Sequence, residues 1–188
     1  GRILQALERE GILHDTIILF CSDHGELLGD HHTFRKTRAY QGSVHIPLFF
    51  RVPQFNGGVT FDTVTSLEDI MPTLIELAGG EVPSGLDGVS LCPVMRGEQA
   101  DAHKFIHGEH SGGRLGNHFI VTKRDKYIWF DESGKEQYFD LINDPNELHD
   151  LMGEPDVQGR VAELRAELVR RLAGRPEGYS DGKRLIAG

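Results

Sequence analysis

An aspartate and a histidine stand side by side where an apolar run ends. Thr16-Ile17-Ile18-Leu19-Phe20-Cys21 gives way abruptly to Ser22-Asp23-His24-Gly25-Glu26. In open α/β sheets, ligands bind at the carboxyl ends of strands. There the backbone can turn, so that a carboxylate oxygen and an imidazole nitrogen meet around one cation, with Gly25 allowing the tight turn. The same residues also fit an Asx turn beside an exposed histidine. Lys36, flanked by Arg35 and Arg38, would stabilise an anionic substrate or a leaving oxygen if aimed into a cleft. Taken alone, it reads as a solvated loop lysine. His31 and His32 read as surface residues. Glu109 and His110 follow another strand candidate and could reach the same cleft, although a structural hydrogen bond is the simpler reading. Asp140, Asp144, Glu147 and Asp150 lack the spacing of the twelve-residue calcium loop, and with Pro145 they read as a turn. Cys21 falls in the apolar run and Cys92 in a loop. Neither has a local feature of a nucleophile, and two cysteines make no disulfide framework.

The elements that must position these residues follow from periodicity. Ile3, Leu4 and Leu7 share a helical face, with Gly11 as its stop. Residues 16–21 form a continuous β-branched run, the pattern of a strand covered on both faces. Residues 27–43 read as a loop, 46–52 as a second strand ending at Pro53, and 54–58 as a turn. Ser66 with Asp69 resembles a capping box opening a helix. Leu67, Ile70, Met71, Leu74, Ile75 and Ala78 form its apolar stripe, and Gly79-Gly80 its stop. Pro72, beyond the first turn, is expected to bend it. After a loop-rich stretch, strands are expected at 104–109, 119–123, 126–130 and 137–141, joined in two hairpins, with Trp129 as core. Asp156 is expected to cap a last helix whose Val157, Val161, Leu164, Leu168 and Leu172 cover that sheet.

Composition sets outer bounds. A chain of 188 residues with 38 % apolar and 26 % charged residues is ordinary for a folded protein and argues against disorder. The net charge of −9, with no basic stripe, argues against a nucleic-acid partner. No apolar run reaches the ~18 residues of a membrane-spanning helix, so no membrane partner is expected. Gly1-Arg2-Ile3-Leu4 lacks an initiator Met and the pattern of a secretion signal. The start therefore reads as the interior of a longer chain.

Several ordered motifs together resemble one family. The segment from Asp15 through Asp23-His24-Gly25-Glu26-Leu27-Leu28-Gly29-Asp30-His31 closely resembles a core segment of the sulfatases, members of the alkaline phosphatase superfamily. The resemblance continues through Lys36, Tyr40, Ile46-Pro47-Leu48, Thr65 to Leu74 and Gly85 to Leu91. Lys126 to Phe130 and Phe139 to Glu147 look like the C-terminal part of bacterial arylsulfatases. The resemblance implies an α/β fold: the C-terminal part of an alkaline-phosphatase-like sandwich over 1–98, then a small antiparallel sheet packed by a terminal helix over 99–188. It implies that Asp23 and His24 ligate one divalent cation, calcium by family habit, with magnesium or manganese as alternatives. An imidazole ligand leans toward the softer ions. Lys36 matches the lysine that contacts the sulfate group and its bridging oxygen, and His110 is carried as a second substrate contact. Thr33-Phe34-Arg35 and Gln41 depart from the usual pattern without removing a matched ligand.

The family's Cys/Ser-x-Pro-x-Arg motif, whose Cys or Ser becomes formylglycine, is not found here, nor are the paired aspartates that complete the metal site. The expectation is thus part of a sulfuric ester hydrolase acting on a sulfate ester, with the formylglycine on polypeptide outside these residues and the fragment alone inactive. Two other readings remain open: a phosphonate or phosphodiester hydrolase on the same scaffold, and a non-catalytic chain acting only in association. Apolar faces left open by a partial sheet would favour homo-oligomers.

Overall fold

The computed structural model describes residues 1–55, 57–110 and 115–188. The chain divides into two compact units, one of residues 1–23 and 46–102, the other of residues 24–45 and 103–188. Composition shifts visibly at the later crossing, and nothing in it marks the excursion at 24–45. Asn56, within the turn expected over 54–58, lies outside the described residues.

In the first unit, helix α1 (Arg2–Arg9) ends as expected, with Gly11 in the left-handed region at φ 72°. Its apolar face is open, and Ile3 is 76 % exposed. Strands β1 (Ile18–Cys21) and β2 (Leu48–Arg51) form an antiparallel pair in which Phe20 lies opposite Phe49. Their rings stack at 4.9 Å, yet both are more than half exposed. The expectation of a strand covered on both faces is therefore corrected: β1 has one strand neighbour among the described residues, and the Phe20 face stays open. A single turn of 3-10 helix at Leu67–Asp69 leads into α3 (Ile70–Leu77), with the expected capping box at Ser66.

Pro72 sits in the first turn of α3 itself, where a missing N–H costs little. The face that α3 buries also differs from the expected one. Leu67, Met71 and Leu74 are exposed, while Asp69, Pro72 and Thr73 are buried. The polar anchors explain this. Asp69 accepts from the amides of Ser66 (2.8 Å) and Val89 (2.9 Å), and the Thr73 hydroxyl accepts from the Leu91 amide (2.9 Å). These bonds hold the 88–91 loop against that side, next to the short helix α4 (Cys92–Met95).

The second unit is built on a four-stranded meander, β3 (Ile106–His110), β4 (Asn117–Val121), β5 (Asp125–Trp129) and β6 (Glu136–Asp140), every neighbour antiparallel. Both expected hairpins are present. Helix α5 (Gln158–Leu172) covers one face, seating Val161, Leu164, Leu168 and Leu172 against Ile120, Tyr127, Trp129 and Tyr138. A 3-10 turn at Pro155–Val157 precedes it and no side chain caps it, so Asp156 is not the cap. The other face packs Ile128 and Phe139 against Ala39 and Tyr40 of the excursion. All five residues of β5 are buried as a result, and Trp129 is core as read from the sequence.

The excursion includes the short helix α2 (Gln41–Val44). Lys126 of β5 donates to the Ala39 carbonyl (2.8 Å) and to Gln41 Oε1 (2.7 Å), and it forms an ion pair with Glu147 Oε1 at 2.7 Å. Glu147 in turn accepts from the Gln41 amide at 2.6 Å. Both ionised side chains have no exposed surface. Burial pushes the Lys126 ammonium below its usual value despite the carboxylate beside it. Asn117 donates to the Thr37 carbonyl (2.9 Å) and Tyr40 to Gln137 Oε1 (2.9 Å). A stretch without helical or strand periodicity is thus pinned to the sheet by side chains.

Candidate functional site

The excursion carries the first cluster. The His24 Nδ1–H donates to the Gly25 carbonyl at 2.7 Å, and Lys36 Nζ lies 2.6 Å from His24 Nε2. A neutral imidazole with its proton on Nδ1 explains both contacts, since Nε2 then accepts from the ammonium. The carbonyl fixes the tautomer as an outer partner of a metal-bound histidine does. It leaves the Nε2 lone pair directed at the Lys36 ammonium. The backbone around these residues is tied by Gly25 N to the Ser43 carbonyl (2.7 Å), by the Ser43 hydroxyl to the Lys36 carbonyl (2.8 Å) and by Leu27 N to the Arg35 carbonyl (3.0 Å).

Gly25 is needed, but not for a left-handed turn. A Cβ there would sit 2.1 Å from the Gly42 carbonyl oxygen. The strain lies further on: Leu28, His31, His32 and Arg35 all have φ between 49° and 70°. Each such residue costs on the order of 1–3 kcal/mol, and this kind of strain concentrates at functional sites.

Asp23 is exposed and closes the first unit's opening segment, directly before His24 opens the second unit. His31 is held by a ring stack on Tyr40 at 3.8 Å. A cleft of about 350 Å³ opens beside it, lined among others by His31, Arg38, Tyr40, Phe130, Lys135 and Gln137. Cys92 is buried, and burial pushes its thiol up, as expected of an inert cysteine.

The second cluster lies on the face of the sheet that α5 covers. His107 and Glu109 alternate along β3, and His118 of β4 pairs with Glu109 in register. His107 Nε2 is 3.3 Å from His118 Nδ1 and 3.8 Å from Glu109 Oε2, and His118 Nδ1 is 3.3 Å from Glu109 Oε2. The three donors form a group that could hold a metal ion. Arg175 grips the Glu109 carboxylate with contacts of 2.6 and 3.0 Å. Burial pushes the His107 ring down to about 4 and lowers His118 as well, so both are neutral near pH 7.

Sequence reading singled out Glu109 with His110 and missed this triad. Strand alternation separates those two. His110 falls on the opposite face, the one carrying Phe119 and Ile128, and is exposed opposite Asn117. The signal was present as His-x-Glu on one strand and a histidine on the next. It needed the register to be read.

Residues 29–173 match the family model described as N-sulphoglucosamine sulphohydrolase, C-terminal. The arylsulfatase of Clostridium perfringens is 45 % identical over 192 aligned residues, which cover all of this chain and 40 % of that protein. Among solved structures, BT4656 in complex with its substrate D-glucosamine-2-N,6-O-disulfate superposes with a TM-score of 0.86 at 30 % identity, over 98 % of this chain and 39 % of that one. The phosphonate monoester hydrolase of Silicibacter pomeroyi gives 0.80 at 27 % identity, over 92 % and 37 %. The chain therefore spans well under half the length of these relatives.

Proposed function

We infer the function from one premise: this chain belongs to the N-sulphoglucosamine sulphohydrolase C-terminal family of the sulfatases. On that footing we propose that it is part of a sulfuric ester hydrolase, in which it supplies two metal ligands and a sulfate-contacting lysine. The observation that carries the reading is the meeting of Lys36 Nζ with His24 Nε2 at 2.6 Å. It brings an ammonium and the imidazole nitrogen proposed as a metal ligand together on a strained loop.

His24 fits a divalent cation because its proton is committed to the Gly25 carbonyl. Asp23, the exposed carboxylate before it, is the proposed companion ligand. When bound, the cation would polarise the sulfate ester and hold the attacking group. Calcium is the proposed ion on family habit, with magnesium and manganese as rivals; the nitrogen donor leans toward the softer of the three. The nucleophile is proposed to be a formylglycine carried elsewhere in the intact protein.

Lys36 then has two partners in turn. Without cation or substrate its ammonium donates to His24 Nε2, the lone pair that the cation would take over. With a sulfate ester present it would swing to the anionic oxygens and neutralise charge building on the leaving oxygen. The Ser43 hydroxyl on its carbonyl keeps that movement to the side chain. Arg38 and Lys135 line the cleft beside His31, so the rest of an anionic substrate would find positive charge there. His110 is proposed as a further substrate contact, since it lies on the sheet face against which Ala39 and Tyr40 pack.

Phosphonate monoester hydrolysis is the second reading, favoured by the likeness to the Silicibacter pomeroyi enzyme. Assays of the intact protein on an aryl sulfate, a sulfated glucosamine and a phosphonate monoester separate the two. Sulfate release that falls by roughly 10²–10³-fold in Lys36→Ala supports the proposal. Undiminished turnover in that variant overturns the role of Lys36.

A further inference from the structure

We propose that His107 Nε2, Glu109 Oε2 and His118 Nδ1 hold a zinc-class divalent ion on the face of the meander covered by α5, with its fourth position open to water. This site shares no residue with the Asp23, His24 and Lys36 group, and it does not depend on the hydrolase reading.

The geometry is the first argument. Zinc bonds of ~2.0–2.1 Å at tetrahedral angles place donor atoms about 3.3 Å apart. Two of the three donor separations here are 3.3 Å and the third is 3.8 Å. Closing the last one needs a shift of a few tenths of an ångström at Glu109, whose side chain is the most exposed of the three.

The donors are fixed by the backbone. His107 and Glu109 point to one face because strand side chains alternate, and register places His118 beside Glu109. Gly108 between them faces the other way, and a Cβ there would collide with the Phe119 ring at 2.1 Å. This glycine leaves room for the Phe119 ring on that opposite face. His118 is fully buried, with rings of Trp129 and Tyr179 packed at 5.7 and 5.2 Å.

The chemistry of the donor set is the second argument. Two imidazoles and one carboxylate form the His₂Glu set of three-ligand zinc sites, which keep one open position. Arg175 does not exclude an ion. Each carboxylate oxygen has two lone-pair directions, and one can take the guanidinium while the other faces the histidines. In that arrangement Arg175 orients the ligand from outside. Glu109 also gives the ion an entry path, since its side chain is 32 % exposed.

The test is zinc binding by the intact, metal-stripped protein in an Asp23→Ala, His24→Ala background, which takes both of this chain's proposed ligands from the other candidate site. Equilibrium dialysis with zinc alone is expected to show one saturable equivalent. His107→Asn and Glu109→Gln each should weaken it more than about 100-fold, beyond the loss seen for outer-shell partners. Both positions are only partly buried, so circular dichroism unchanged from the parent shows that the fold survives. His118→Asn serves as a third variant if it folds. Cobalt(II) in place of zinc should give the intense visible bands of four-coordination and lose them in His107→Asn. The proposal is overturned if the parent binds no saturable equivalent, or if a folded His107→Asn variant binds zinc as the parent does. No substrate enters the assay, so its result and that of the hydrolysis assay stand apart.

Discussion

Lys126→Met tests how the loop that carries His24 and Lys36 is held. Lys126 has three partners, the Ala39 carbonyl, Gln41 Oε1 and Glu147 Oε1, all within 2.8 Å. Removing the ammonium leaves the Glu147 carboxylate buried with only the Gln41 amide as a donor. Breaking a buried pair by deleting one partner costs about 3–5 kcal/mol. With a urea slope near ~2 kcal/mol/M, a loss of ~4 kcal/mol moves the unfolding midpoint down by about 2 M. The double variant Lys126→Met with Glu147→Gln removes the stranded charge while keeping an acceptor for the Gln41 amide. It should recover at least half of the loss, because neutralising both members of a buried pair is far less costly than breaking it. Urea unfolding followed by circular dichroism reads all three proteins. A single-variant loss under ~1 kcal/mol, or a double variant no better than the single, would refute the view that this pair anchors the loop.

Gly25→Ala should cost about 1–3 kcal/mol or more through its clash with the Gly42 carbonyl, and should lower activity with it; unfolding midpoints and turnover check both. Asp125 is held below its usual value: burial works to raise it, and hydrogen bonds from Arg160, Thr122 and Tyr138 overcome that. Its contribution is therefore present above the unfolded carboxylate value of ~3.9 and is lost as pH falls through the lower folded value. Acid unfolding curves of Asp125→Asn should show a shallower low-pH limb and a stability lower by about 1.5–3 kcal/mol at pH 7. Chelation of divalent cations should abolish turnover of the intact protein, and calcium, magnesium or manganese added back singly should show which one restores it.

The parts of the fold legible in the sequence were those set by local pattern. The four strands of the meander, the heptad-like spacing of Val161, Leu164, Leu168 and Leu172, and the Ser66 capping box each follow from the nearest few residues. What stayed hidden was set by partners distant in the chain. The stripe of Leu67, Met71 and Leu74 is apolar by spacing, yet Asp69 and Thr73 turn the opposite face inward because the 88–91 loop binds them. Glu147 looked like one acid among four in a turn. Its burial against Lys126 depends on β5 lying beneath the excursion, which no local rule supplies. The site divides in the same way. His24 and Lys36 could be picked out through resemblance, twelve residues apart, and the structure joins them directly. The His107, Glu109 and His118 group exists only once β3 and β4 are in register.

The most direct measurement compares kcat/KM of the intact protein for an aryl sulfate and for the matching phosphonate monoester, with Lys36→Ala run beside it. The account predicts a higher value for the sulfate ester and a fall of roughly 10²–10³-fold in the variant. A higher value for the phosphonate, or a variant as fast as the parent on sulfate, would contradict it.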